Sequence, residues 1–181
     1  MDVSFNLITR GDVQGIPLLE MTAADYTRAV LTGLTTNYLT ARAAARCMVE
    51  QGSGAILMLT SASAAMVSPM MGSTPPTDAA TEALMRGLAA EVGPRGVRVV
   101  GIWTAGVPET LTPEAIAAVN SSMQLDAAAL EQLKEQMNQM TMLRHLPALA
   151  RVADVAAFLA SDRAGAITAT MINVTSGLVV A

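Results

Sequence analysis

Ser61 and Asp78 are the residues whose types and separation first suggest chemistry. Ser61 closes the apolar run Ala55-Ile56-Leu57-Met58-Leu59-Thr60, and Asp78 lies early in the helical segment that follows. The two can therefore face each other across a cleft. A serine nucleophile also needs a base, usually histidine, and an oxyanion hole. The only histidine, His145, stands before Leu146-Pro147 in a distant segment. It reads as a loop residue beside a helix C-terminus, where Arg144 and His145 suit the dipole. Both members of the pair have plainer readings. Ser61 is a small residue at a strand end, and Asp78, with Glu82 and Arg86 at four-residue steps, supports its own helix. No metal site is expected, because there is no His pair or Cys pair and Asp25, Glu50, Asp126, Glu131 and Asp162 are dispersed. Met66, Met70 and Met71 read as adaptable packing in one loop.

Composition narrows the function classes. Of 181 residues, 52% are hydrophobic and only 14% charged, with a mean hydropathy of +0.43. Charged residues or glycines interrupt every long apolar run, so no membrane span is expected. The start, Met1-Asp2-Val3-Ser4-Phe5, has no basic segment or cleavage pattern, and the expected compartment is the cytoplasm. A net charge of −4 with scattered Lys and Arg argues against nucleic acid. Excess apolar surface argues for a covering partner. The single cysteine, Cys47, excludes an intrachain disulfide. It follows Leu39 and Ala43 at four-residue steps and is expected to be a buried thiol.

The elements that must position these residues alternate between strands and helices, the pattern of a parallel sheet with crossovers. Strands are expected at 3–8, 55–60, 97–102 and 169–174. Helices are expected at 25–50 (bent near Gly33), from Thr74 or Thr77 to Gly93-Pro94, and at 113–120, 127–142 and 153–160. The expected core stripe of the second helix is Ala80, Ala83, Leu84, Gly87 and Leu88. A loop rich in Ser, Met, Pro and Gly fills 61–77.

Four stretches carry a resemblance, in order. They are Asp2-Val3-Ser4-Phe5-Asn6, Met21-Thr22-Ala23-Ala24-Asp25-Tyr26, Glu91-Val92-Gly93-Pro94-Arg95-Gly96-Val97-Arg98-Val99, and Phe158-Leu159-Ala160-Ser161-Asp162-Arg163-Ala164-Gly165-Ala166-Ile167-Thr168 followed by Asn173-Val174-Thr175-Ser176-Gly177. Together they resemble the short-chain dehydrogenase/reductase family over nearly the whole chain. The resemblance implies an α/β, partial Rossmann-like fold matching the second half of that family's domain. Its sheet is mainly parallel, with about four strands and crossover helices. Residues 1–181 are expected to form one truncated domain. The family's opening strand, Gly-x-x-x-Gly-x-Gly turn and helix, which bind the dinucleotide pyrophosphate, have no counterpart here. Gly52-Ser53-Gly54 precedes a strand and so fails the required context.

The resemblance also locates the catalytic positions. Ser61 matches the family's serine. Thr74 falls on the tyrosine, Asp78 on the lysine and Gly33 on the asparagine of the proton relay. Asn6 matches the first Asn of Asn-Asn-Ala-Gly and is the one candidate cofactor contact, while Leu7-Ile8-Thr9 replaces the rest. A threonine hydroxyl is too weak an acid for the tyrosine's role, and Asp78 would disfavour a nearby oxyanion. Neither remaining tyrosine, Tyr26 or Tyr38, has a cation in the required relation. The resemblance places Trp103 where family members meet substrate and nicotinamide; its plainer reading is packing.

Two functional expectations follow. One is a homologue with a degraded catalytic site, acting as a non-catalytic structural or binding subunit and needing no cofactor for this chain alone. Its partner would be a second copy or a paralogue, through the helices 37–50 and 77–92 that resemble the family's dimer interface. The other is a fragment of, or an atypical, NAD(P)-dependent oxidoreductase acting on a small carbonyl or alcohol, NAD(P) being implied by the resemblance. A small-molecule ligand in the cleft above Ser61, Met70, Trp103 and Val107 is a third possibility.

Overall fold

The computed structural model describes residues 1–66 and 68–180; Val67, within the expected 61–77 loop, and Ala181 lie outside the described residues. Four strands, β1 (Val3–Asn6), β2 (Gly54–Ser61), β3 (Val97–Thr104) and β4 (Met171–Val174), pair in parallel in the order β1-β2-β3-β4. The two inner strands are near-continuous apolar runs because both faces are covered. Ile56, Met58, Val97 and Val99 pack beneath α1 (Ala23–Gln51) and α2 (Thr74–Val92). Leu57, Val100 and Ile102 pack on the other face with Val152, Ala156 and Leu159 of α5 (Leu149–Ala160). The short α3 (Pro113–Val119) and α4 (Ala127–Met140) lie between β3 and α5 in the chain.

Local chemistry sets most boundaries. Thr22 caps α1 by accepting from the Asp25 N–H, and Gly52, at φ 77°, ends it in the left-handed conformation. The helix runs as one segment through Gly33. Pro75 and Pro76 open α2 without loss, since first-turn N–H groups have no partner within the helix. β1 stops at Asn6, two residues short of expectation. β4 begins at Met171 rather than 169, because Ala169 takes φ 59° and gives its N–H to the Val99 carbonyl. α5 starts four residues early, behind Ala148, which offers no side-chain cap to read.

The largest correction concerns the two long helices. α1 buries Ala29, Gly33, Asn37, Ala41, Ala44, Ala45 and Met48, while Leu39, Ala43 and Cys47 face outward. Cys47 is thus an exposed thiol, not a buried one. α2 buries Thr74, Thr77, Asp78, Thr81 and Glu82 ahead of Met85, Ala89 and Val92. Its expected core stripe lies outside or half-buried: Ala83 and Gly87 are exposed, and Ala80, Leu84 and Leu88 are intermediate. Apolar periodicity misleads here because the inner stripes are made of small and polar residues. Small residues let α1 approach the sheet, and the polar ones build the site described below.

The reversed face is testable on α2. Met85→Ala, at a fully buried position, should cost about 2–5 kcal/mol in urea unfolding. Gly87→Ala, where an added Cβ meets nothing within 4 Å, should be neutral or stabilising by up to about 1 kcal/mol. A destabilising Gly87→Ala would restore the expected stripe to the core.

Candidate functional site

The carboxyl ends of β1, β2 and β3 bring Asn6, Ser61 and Thr104 to one edge of the sheet, the edge where open parallel sheets carry their sites. α2 begins beside it at Thr74, and Asp78 follows one turn in. Asp78 is fully buried. One of its oxygens accepts from Arg10 Nη1 at 2.5 Å. The other accepts from Ser61 Oγ at 2.5 Å and Ser63 Oγ at 2.7 Å. Arg10 is held from its other side by Asp12, through Nε at 3.1 Å and Nη2 at 3.0 Å. Burial costs the guanidinium solvation, but the two carboxylates outweigh it and hold its pKa above the ordinary arginine value.

Gly33 makes room for this arrangement. A Cβ there would stand 2.9 Å from both Arg10 Cδ and Thr77 Cγ2. The position that resembles the family's relay asparagine is therefore filled, from across the cleft, by the arginine stem. Asn37, one helical turn on, gives its amide to the Gly33 carbonyl at 2.9 Å and accepts from Asn6 Nδ2 at 2.8 Å. Asn6, the one candidate cofactor contact, thus spends its amide on α1. Among the described residues, Thr60 Oγ1 is a buried side-chain oxygen without a partner. Thr74 accepts from Gln14 Nε2 at 2.9 Å. The strap carrying Gln14 is tied down where Val13 and Ser73 exchange bonds, Val13 N to Ser73 Oγ at 2.9 Å and Ser73 N to Val13 O at 3.1 Å.

Two other residues lie elsewhere than chemistry would need. The Trp103 indole turns to α2 and donates to Glu82 Oε1 at 2.7 Å; Glu82 also faces Arg86 at 3.6 Å, so only the second half of the expected Asp78–Glu82–Arg86 ladder forms on the helix. His145 contacts the Leu146 carbonyl and lines a separate depression with Asn173 and Ser176. Ser61 does meet Asp78, as its position allowed, but no histidine joins them. Arg10, Asp12, Gln14, Asn37 and Ser63 were not marked by the sequence. The available signal was Arg10 as the one cation before Arg28.

Two hollows adjoin the network. One, of about 620 Å³, is edged by Asn6, Arg10, Asp12, Thr60, Ser61 and Thr104. The second, of about 540 Å³, shares Ser61 and Thr104 and is walled by Met66, Met71, Met123, Met137 and Met140; Met70 and Trp103 are not among its lining residues. In this network the Ser61 hydroxyl is a donor to a carboxylate already met by Arg10, not a nucleophile beside a free base.

The family profile described as Enoyl-(Acyl carrier protein) reductase matches residues 1–179. The chain belongs to the short-chain dehydrogenase/reductase family. It is 34% identical over 163 residues to L-rhamnose 1-dehydrogenase (NAD(P)(+)) of Azotobacter vinelandii, covering 90% of this chain and 59% of that protein. It is 28% identical over 167 residues to human (3R)-3-hydroxyacyl-CoA dehydrogenase, covering 89% of this chain and 57% of that protein. Among solved structures, levodione reductase superposes with a TM-score of 0.83 at 25% identity, over 97% of this chain and 66% of its own. A 7α-hydroxysteroid dehydrogenase complexed with NADH and 7-oxo glycochenodeoxycholic acid gives 0.77 at 25%, over 97% and 63%. The chain thus spans less than two thirds of the length of these relatives.

These relatives imply a nicotinamide dinucleotide, and the described residues fit only part of one. The larger hollow offers room. Its one guanidinium is already paired with the two carboxylates that flank it, which leaves no free positive charge for a pyrophosphate. Among the described residues, α1, α2 and α3 start behind Thr22, Ser73 and Thr112, not on a glycine-rich turn of the kind that cradles phosphate.

Removing one partner of the buried pair leaves the other charge uncompensated. Arg10→Ala should cost about 3–5 kcal/mol. Arg10→Ala/Asp78→Ala should cost less than the sum of the two single changes when a double-mutant cycle is measured in urea. Additive losses would mean the pair is not coupled.

Proposed function

We propose that this chain is a short-chain dehydrogenase/reductase homologue that acts as a binding or structural subunit and does not run the family's oxidoreduction. The observation that carries this reading is the buried Arg10–Asp78 pair. It stands where the resemblance puts the proton-donating machinery, with Thr74 at the tyrosine position and Gly33 at the asparagine position. General acid catalysis wants a proton donor matched to the working pH. Threonine is far from that range, and the Ser61 proton is directed to Asp78. Binding of NAD(P) by this chain alone is expected to be weak, because the described residues supply no phosphate-cradling turn.

The partner in this reading is a second copy of the chain or a paralogue, docked through residues 37–50 of α1 and 77–92 of α2. The outward stripes support it. Tyr38, exposed on α1, lines an apolar depression with Leu34, Ala80, Ala83 and Leu84, and Leu39 and Cys47 are exposed elsewhere on α1. Such a face in water is a contact surface. Among the described residues no helix is long and apolar enough to cross a membrane.

A second reading is favoured by the relatives' names. A longer protein containing this chain would be an atypical NAD(P)-dependent oxidoreductase acting on a small carbonyl or alcohol. Calorimetric titration with NAD(H) and NADP(H), run beside light scattering, separates the two. The subunit reading expects no submillimolar binding and a discrete oligomer; submillimolar binding would favour the oxidoreductase. The interface has its own probe, since Cys47 is the only cysteine. Its reaction with a thiol reagent should be slow in the oligomer and fast once dilution gives monomer. Equal rates would remove these helix faces from the interface.

A further inference from the structure

β1 lies at one edge of the sheet, and its backbone groups divide between two directions. The Ala55 N–H goes to the Asp2 carbonyl. With Val3 beside Ala55 and Phe5 beside Leu57 in the register, a parallel ladder engages Asp2, Ser4 and Asn6. The N–H and C=O groups of Val3 and Phe5 therefore point away from the sheet. The side chains divide as well. Asp2 and Asn6 turn to α1, where Gln51 and Asn37 meet them. Phe5 is half-buried against the apolar cluster of the opposite face, with Val3 and Leu7 exposed on either side of it. On that face α5 packs over β2 and β3, so these three side chains stand beyond its cover. Edge strands are ordinarily guarded by charge, proline or a bulge. Residues 3–9, Val-Ser-Phe-Asn-Leu-Ile-Thr, hold no charge and no proline, and Val3 to Asn6 pair without a bulge.

We propose that β1 pairs antiparallel with β1 of a second copy, about a two-fold axis at Ser4, and joins two four-stranded sheets into one. A second copy fits because the segment complements itself. With Ser4 opposite Ser4, Val3 of each copy faces Phe5 of the other and exchanges both backbone bonds with it, four ladder bonds in all. Asp2 faces Asn6, so no like charges oppose each other in a chain whose net charge is −4. Apolar side chains meet on the α5 face and polar ones on the α1 face, the matching that stabilises cross-strand pairs. Four ladder bonds are a small contact beside the roughly 1,200 Å² that specific interfaces bury, so α1 must add to it. That helix runs along β1 from Asn37 to Gln51. Leu34 and Tyr38 turn toward α2, which leaves Thr36, Thr40 and Ala43, small and uncharged, on the flank above the open edge. Small flanks let two helices approach to about 8–10 Å. This contact goes beyond the α1–α2 face proposed above and does not depend on it.

The test uses the full chain. In Ser4→Cys/Cys47→Ser, air oxidation should give covalent dimers, because facing residues without ladder bonds lie with Cα atoms about 4.5 Å apart, within the span of a disulfide. Asp2→Cys/Cys47→Ser checks the register. Asp2 is the more exposed residue, but its two copies would stand about 14 Å apart along the strands and should link poorly. Val3→Pro removes an N–H that takes no part in the β1–β2 ladder, so urea unfolding should change little. Dissociation on dilution, followed by light scattering, should move to a concentration about tenfold or more higher, for the two ladder bonds lost. Ala83→Arg, on the exposed face of α2, strikes the helix contact instead and should leave the Ser4→Cys link intact. Equal linking by the two cysteine variants, no link at Ser4→Cys, or unchanged dissociation in Val3→Pro would overturn the pairing, whatever Ala83→Arg does. The two cysteine variants decide the matter should Val3→Pro fail to fold.

Discussion

A carboxylate wholly removed from water persists only where donors replace its hydration, and three donors do so for Asp78: Arg10, Ser61 and Ser63. Much of the surrounding structure follows from that requirement. Arg10 must cross the cleft to reach Asp78, so position 33 must carry no side chain. The guanidinium has a second charged edge to satisfy, and Asp12, two residues on, takes it with both oxygens. The chain after Arg10 is then drawn over the start of α2, where Val13 meets Ser73 and Gln14 meets Thr74. The same carboxylate fixes the direction of the Ser61 and Ser63 hydroxyls.

The polar inner face of α2 has a consequence on the outside of the molecule. The first half of α2 spends Thr77, Asp78, Thr81 and Glu82 on the interior, so Ala83 is left exposed while Leu84 and Leu88 pack half-buried at the edge of the core. α1 does the same by a different route. Its inner stripe is mainly alanine with Gly33, which allows close packing on the sheet and leaves Leu39 and Cys47 outward. The site and the apolar outer face are two sides of one choice of helix rotation.

The fold was largely legible in the sequence. Buried strands announce themselves as short apolar runs, and Thr22, Gly52, Pro75 and Gly93-Pro94 mark helix ends by mechanisms that act locally. Parallel order followed from the alternation of strands and helices. What the sequence hid was rotational. The stripe of Leu39, Ala43 and Cys47 is more apolar than the stripe α1 buries, so periodicity pointed to the wrong face. The positions of Ser61, Thr74, Asp78 and Gly33 were visible by resemblance, and their replacement was read as loss. Only the structure shows that Arg10 and Ser61 meet at Asp78, because Arg10 and Asp78 are 68 residues apart and no local spacing links them. Trp103 follows its plainer reading as packing, with its indole turned to α2 and donating to Glu82.

The central claim is that the Arg10 guanidinium is locked between Asp78 and Asp12. Nitrogen-15 NMR of the arginine side chains reads this directly, with Arg10 assigned by its loss in Arg10→Lys. The account predicts separate, slowly exchanging Nη signals for Arg10, unlike those of Arg151, whose side chain is 78% exposed. Averaged, fast-exchanging Nη signals for Arg10 at neutral pH would contradict it, and with it the reading that an ion pair now occupies the family's catalytic position.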